Sequence, residues 1–503
     1  MVGTSAWRRA SIGAPVALGL VAFMVAAVIV RPVRAVLIGS DTASSVLYFQ
    51  RIVSGETLER FLGTTPKPLL TLIDGLLYAG TGDWRPIAWL ALIVYALAVA
   101  SAVALATRVS STVAGVFVGA GLIACPGLLQ DVALAYPVSW TLLAVCVAGL
   151  CLTASRPRYG PAAFALACGA LARQEIFILI GVAVAAVVVD WWFGRSAGDR
   201  GHERWLLLLA LVAVPLSMIH DILLAGDPLY SLRVPTLGAE GRTVGGVFSA
   251  IIALAVHGLG NPVLLVLAGL GVASLIRKSA WAVLLGTSTL AIGVTVVVLF
   301  VGARGLVVLD RYALPVELAL IFLAGSGVAT IRVPELSALV ARPIVLGLAA
   351  VVAVGVSPRI GPLDRETTER IGTEAQAGRD YRHMLPALAG EVAREPGLRA
   401  SPASRDPRGR DLSGPVLYVT PRLLSIVLVD LDLRLDHVAR SSQFDPATAV
   451  APAGAIVLHI KRVDTQGTAA WAEVDAAATF PSLSVVPVAR LEDRAWLLRV
   501  HPN

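Results

Sequence analysis

Asp41 stands in LIGSDTASSVLYFQRIVSGE (37–56), where the chain leaves its first long apolar run. An ionised carboxylate at a membrane surface can take a proton from a hydroxyl as that hydroxyl attacks an electrophile. Asp ahead of a helix also commonly caps it by accepting backbone N–H bonds. Position alone leaves both uses open. Four cations, Lys67, Arg173, Arg233 and Arg311, lie at or between the ends of apolar runs. Arg grips phosphate oxygens bidentately and Lys acts as a point charge, so the set suits a lipid phosphate. Arg at a span end also anchors to headgroups in general. Arg173, in GALARQEIFIL, is the most demanding, because a cation inside a membrane costs about 2.5–3.5 kcal/mol on insertion scales. It calls for an anionic ligand, a wet cavity or an internal pair with Glu175. Tyr48, Asp131, Asp227, Tyr230 and Tyr312 add hydroxyls and carboxylates in the same loops, as candidate substrate contacts.

These residues need a scaffold, and the apolar runs supply it. Runs of roughly 17–25 apolar residues are membrane-span candidates. They fall near 13–30, 87–106, 111–126, 137–154, 160–172, 176–192, 205–224, 260–276, 281–301, 313–330 and 343–357, about eleven in all. Arg8 and Arg9 before the first run make it a retained signal anchor rather than a cleaved leader. With these two inside, every predicted inner loop carries Arg or Lys: Arg108; Arg156 and Arg158; GRSAGDRGHER (194–204); Arg277 and Lys278; Arg332 and Arg342. This charge bias sets a multi-pass plasma-membrane topology with a cytoplasmic N-terminus. The alternation requires 160–192 to be two passes, the first unusually short, and 244–258 to lie on the outer surface.

The chemistry therefore gathers in the outer loops. In loop 31–86, Val46, Phe49 and Val53 form one helical stripe, and Leu69, Leu72, Leu76 and Leu77 form a second behind Pro68. Two amphipathic helices lying on the outer leaflet fit this pattern. From about 358 onward the chain turns polar, with 394–414 reading as a mobile loop. The β-rich runs PVLYV (415–419), AIVLHI (455–460) and AWLLRV (495–500), with helical LLSIVLVDLDL (423–433), predict an extracytoplasmic α/β domain. The division is thus a transmembrane domain, 1–357, and an exterior domain, 358–503. There is no internal repeat.

The composition agrees. Of 503 residues, 56% are hydrophobic and only 15% are charged, and the mean hydropathy is +0.77. A polytopic helical membrane protein is the class this selects. The net charge of +7 sits mostly in short loops between apolar runs, without the basic stripe or fold motif of nucleic-acid binding. Cys125, Cys146, Cys151 and Cys168 lie in or beside apolar runs and read as packing residues, giving neither a disulfide framework nor a zinc site. No P-loop is present, which argues against ATP-driven transport.

Taken in order, these motifs resemble those of the GT-C superfamily of integral membrane glycosyltransferases, which includes protein mannosyltransferases, the aminoarabinose transferase of lipid A and mycobacterial arabinofuranosyltransferases. GSDTASSVLYFQRIVSGE is similar to the family's acidic residue after the first span and its first surface helix. TTPKPLLTLIDGLLYAGTG looks like the second. LARQE stands where members carry a basic residue, and GDPLY and DRYALP resemble phrases at later span ends. The likeness covers roughly 1–330. Ser40 replaces the first of two acids some relatives carry, and Gln174 stands where Pro is frequent. The resemblance implies a polyprenyl-phosphate sugar as donor, a glycan or lipid acceptor, inversion, and Asp41 as general base. Lys67, Arg173, Arg233 and Arg311 would hold the donor phosphate. Arg-rich composition points to an actinobacterial cell wall, with decaprenyl-phosphate arabinose or mannose as candidate donors. No Asp-x-Asp motif marks a metal site, which leaves a divalent ion open. The competing readings are a lipid or solute transporter, which favours repeats and polar groups at mid-membrane, and a non-catalytic binding protein of the same fold.

Overall fold

The computed structural model describes residues 3–30, 39–58, 65–192, 201–237, 248, 250–251, 254–255, 261–303, 314–330, 365–394, 416–419, 423–433, 438–440, 455–460, 483–491 and 495–502. The helices are α1 (Gly3–Val30), α2 (Ser40–Ser54), α3 (Pro68–Thr81), α4 (Arg85–Val109), α5 (Thr112–Ala124), α6 (Pro126–Ala133), α7 (Val138–Leu152), α8 (Tyr159–Ala172) and α9 (Ile176–Trp192). A helical segment from Gly201 then passes through a 3-10 stretch into α10 (Ala213–Ala225). After it come α11 (Tyr230–Leu237), α12 (Pro262–Arg277), α13 (Trp281–Ala303), α14 (Leu314–Val328), α15 (Arg365–Ala393) and α16 (Leu424–Asp430).

Each expected span from 13–30 to 313–330 falls on a helix, and 343–357 lies outside the described residues. Among the described residues, length and apolar composition qualify four helices to cross a membrane: Gly13–Val30, Arg85–Val109, Trp205–Ala225 and Val283–Phe300. The α5–α6 pair, bent by 58°, makes a fifth if counted as one span. The bend has a local cause. Cys125 is extended and Pro126, lacking an N–H, cannot continue the preceding helix but opens the next one well. Five more helices are apolar but shorter, among them Tyr159–Ala172. In the 244–258 stretch, Ala250 and Leu254 are buried against Val294, Val298 and Val316.

Small residues set the closest contacts of the bundle. A Cβ on Gly271 would lie 1.8 Å from the Leu323 carbonyl oxygen, and one on Gly327 would lie 1.9 Å from that of Leu267. Thus α12 and α14 meet backbone to backbone, as small-residue interfaces allow within membranes.

Beyond α14 the chain builds a five-stranded sheet in the order β2-β1-β3-β5-β4. The strands are β1 (Val416–Val419), β2 (Val438–Arg440), β3 (Ala455–Ile460), β4 (Leu483–Leu491) and β5 (Ala495–Pro502). β1 runs parallel to β2 and β3, whereas β5 is antiparallel to β3 and β4. Pro487 sits on the edge strand β4, next to a register shift, where a missing N–H is tolerated. Three strands and α16 stand on the runs that predict them; β2, β4 and the long α15 are additions. The 394–414 loop lies mostly outside the described residues.

The surface helices differ from expectation. α2 is not laid open on a leaflet: Thr42 to Tyr48 are all buried. Ala43, Val46, Leu47 and Tyr48 share one hydrophobic cluster with Tyr381 of α15, Val427 of α16 and Leu458 of β3. The C-terminal sheet and its helices cover α2, so faces that look alternately polar and apolar are enclosed together. α3 does keep an outward leucine face, Leu72 and Leu76, and buries Leu70, Thr71, Asp74 and Gly75.

Candidate active site

Asp41 lies in the first turn of α2, and Gly39, extended at φ −61° and ψ 151°, is the N-cap. The carboxylate is therefore not the capping residue, though its charge suits the helix N-terminus. The α6–α7 turn holds this end of α2. Gly39 N–H donates to the Leu134 carbonyl at 3.0 Å, and the Thr42 hydroxyl donates to the Leu134 and Ala135 carbonyls at 3.2 and 2.8 Å. Gly39 has no room for a side chain, since a Cβ would come within 2.1 Å of the Tyr136 ring. A Gly39→Ala variant should push Tyr136 or Asp41 out of place, and Tm and activity should both fall. Wild-type values for both would contradict the packing described.

Lys67 meets Asp41 from the start of α3. Its Nζ is 3.4 Å from Asp41 Oδ2, and the two side chains are 11% and 13% exposed. It also donates to the Thr65 carbonyl at 3.3 Å. Pro68 at the first helical position fixes where α3 begins and so where Lys67 points. α3 then packs closely on α2, because Gly75 faces Phe49 where a Cβ would stand 2.1 Å from the Phe49 ring. The result is a largely enclosed carboxylate–ammonium pair with a face still open.

Asp74, which no sequence motif marks, lies on the buried face of α3. Burial pushes its carboxyl up to about 8, with Lys67 pulling the other way. Among the described residues, its Oδ2 and the Thr71 hydroxyl have no hydrogen-bond partner. Because folding raises this pKa from 3.8, the native state binds the proton more tightly than the unfolded chain. Its stabilising share is full below about pH 4 and is lost as pH rises toward 8. In an Asp74→Asn variant, Tm relative to wild type should therefore rise steadily between pH 5 and 8. A constant difference would show that Asp74 titrates normally.

The remaining candidates separate into groups. Arg173, buried at the end of α8, has the internal partner: its Nε donates to Glu175 Oε1 at 2.9 Å. Asp131 shapes the turn that holds α2, since its Oδ2 accepts the Val138 N–H at 3.1 Å and its carbonyl accepts the Tyr136 N–H at 2.8 Å. Asp227 accepts the Leu229 N–H at 3.0 Å and pairs with the exposed Arg233 at 2.7 Å. Tyr230 packs at the edge of the cluster beneath the sheet, and Tyr48 is buried within it. Arg311 and Tyr312 lie outside the described residues. The pair brought together is Asp41 with Lys67. Among the described residues no three His, Cys, Asp or Glu side chains group as a metal site.

A second node ties the site to the C-terminal sheet. Asp430, at the end of α16, accepts hydrogen bonds from three elements: Tyr78 OH of α3 at 2.9 Å, Trp84 Nε1 before α4 at 3.0 Å and Tyr381 OH of α15 at 2.9 Å. Burial pushes its carboxyl up, and the hydrogen bonds from Tyr381, Trp84 and Tyr78 pull it down. On the same helix Ser425 shares a 2.8 Å hydrogen bond with Ser44 of α2. Just beyond, the Leu433 carbonyl accepts from Arg51 at 3.0 Å. One short helix thus fastens both α2 and α3. Another buried group without a sequence signal is Asp221, which accepts the Ser231 N–H and hydroxyl at 2.8 and 2.6 Å.

No family model matches the chain, and no curated protein matches it. Solved structures do. ArnT from Cupriavidus metallidurans bound to undecaprenyl phosphate aligns over 99% of this chain and 98% of its own, with a TM-score of 0.55 and 16% identity. The apo state of the same protein aligns over 95% and 97%, with a TM-score of 0.51 and 16% identity. At that identity the likeness speaks for the fold alone: the chain shares the fold of these ArnT structures.

Proposed function

We propose that this chain is an inverting glycosyltransferase that moves a sugar from a polyprenyl-phosphate donor to a cell-envelope acceptor on the outer face of the plasma membrane. The observation that carries the reading is the enclosed Asp41–Lys67 pair at the start of α2 and α3. A fold shared with an ArnT structure that holds undecaprenyl phosphate supports a lipid-phosphate donor. In the reaction the acceptor hydroxyl oxygen attacks the anomeric carbon while Asp41 takes the hydroxyl proton. The bond from that carbon to the phosphate oxygen breaks on the opposite side, and its electron pair leaves with the polyprenyl phosphate. Lys67 neutralises the departing phosphate, an effect that grows in a poorly solvated cleft. Arg233 and Arg311 are proposed to join it from the later outer loops. Arg173 is kept by Glu175 as a structural cation unless donor binding parts them. Tyr48, Asp131, Asp227, Tyr230 and Tyr312 would then support the site around the substrates. Decaprenyl-phosphate arabinose and mannose are the donors to try first.

The test is transfer of labelled sugar by purified protein in lipid, from polyprenyl-phosphate pentoses and hexoses to cell-envelope fractions. Turnover with one donor class, with inverted configuration in the product, is expected. No turnover with any donor, alongside lipid movement across vesicles, would replace this reading with a transporter.

A further inference from the structure

α3 turns leucines outward and polar side chains into the protein. Leu72 and Leu76, 51% and 55% exposed, face outward, whereas Thr71 and Asp74, 2% and 3% exposed, face inward. Thr71 and Asp74, spaced i and i+3, make one stripe on α3, and Lys67, the extended N-cap, stands just ahead of it. The stripe follows the ammonium that holds Asp41 and runs into the junction where α3 packs on α2, α8 and α10. Along it, the Thr71 hydroxyl and Asp74 Oδ2 keep unused hydrogen-bonding capacity, although buried polar groups are nearly always paired.

We propose that Thr71 and Asp74 form a polar subsite that hydrogen-bonds hydroxyls of the sugar carried by the donor, making them specificity-determining residues. This rests on the polyprenyl-phosphate donor proposed above. Thr71 and Asp74 stand about 6 and 10 Å along the helix axis from Lys67, the scale of a sugar ring attached to a phosphate held there. Burial keeps the Asp74 carboxyl mostly protonated at neutral pH, so it both donates and accepts, as recognition of a hydroxyl requires. A phosphate on Lys67 offsets the ammonium charge that pulls this carboxyl down, so phosphate and sugar hydroxyl reinforce each other.

The test measures affinity for undecaprenyl phosphate and for undecaprenyl phosphate bearing arabinose or mannose, in nanodiscs. Wild type should prefer one sugar-bearing lipid over the bare one by tenfold or more. Thr71→Val and Asp74→Leu should each lose about tenfold of that preference and keep the bare-lipid affinity. Thr71→Ser, which retains the hydroxyl, should keep both. Unchanged preference in Thr71→Val and Asp74→Leu, or a wild type indifferent to the sugar, would overturn the subsite. So would equal loss of both lipids in variants with wild-type Tm. A wild type that binds neither lipid would remove the donor reading itself and the subsite with it.

Discussion

Asp41→Asn lowers sugar transfer by about 10²–10⁴-fold, the usual contribution of a general base, and leaves the lipid donor bound. Asn keeps the shape and removes the charge that accepts the proton. The helix start survives the change, because Gly39 rather than Asp41 is the N-cap, and the lost dipole interaction is worth only about 0.3–1 kcal/mol. Lys67 loses its carboxylate partner but keeps the Thr65 carbonyl, and it becomes freer to hold phosphate. Donor affinity should accordingly stay level or rise while kcat falls. A purely structural carboxylate would give another pattern, with Tm and donor affinity dropping together and kcat tracking the folded fraction. Steady-state kinetics with donor titration separates the two.

Asp430→Ala lowers stability by about 3 kcal/mol or more, an unusually large single-site effect. The carboxylate satisfies Tyr78, Trp84 and Tyr381 at once, and each buried donor left unpaired costs about 1–3 kcal/mol. Truncation also opens a void beneath α16. Asp430→Asn is the graded comparison. Its one carbonyl oxygen can serve only one side of the node, so its Tm should lie between those of wild type and the alanine variant. Because Tyr78 belongs to the helix that Lys67 begins, transfer should weaken in the same order. A Tm within experimental error of wild type for Asp430→Ala would mean that the C-terminal sheet is not fastened through this residue.

Much of the scaffold is legible in the sequence because a membrane makes the hydrophobic signal strong. The runs from 13–30 to 313–330 announce their helices, but the single span expected at 111–126 breaks at Cys125–Pro126, where α5 ends and α6 begins. Asp41 and Lys67 are legible as types in outer loops, but their pairing across loop 31–86 is not, since nothing in local sequence sets the distance between residues 41 and 67. The burial of α2 is illegible for a similar reason. Its cover comes from α15, α16 and β3, hundreds of residues away. Asp74 is hidden behind the stronger leucine stripe of α3, although a polar residue opposite an outward apolar face is itself a signal. Asp430 looks like one more acid in VLVDLDL. Only the convergence of two tyrosines and a tryptophan on it reveals the joint. Arg173 shows the limit in the other direction, since its demanding position is met locally by Glu175 two residues on.

The most direct test of the central claim is a structure of the protein with undecaprenyl phosphate bound in a lipid bilayer mimic. The phosphate should sit at Lys67, with oxygens about 2.7–2.9 Å from Nζ and Asp41 released from the ammonium toward the acceptor. A phosphate seated elsewhere, with Asp41 and Lys67 still paired, would contradict it.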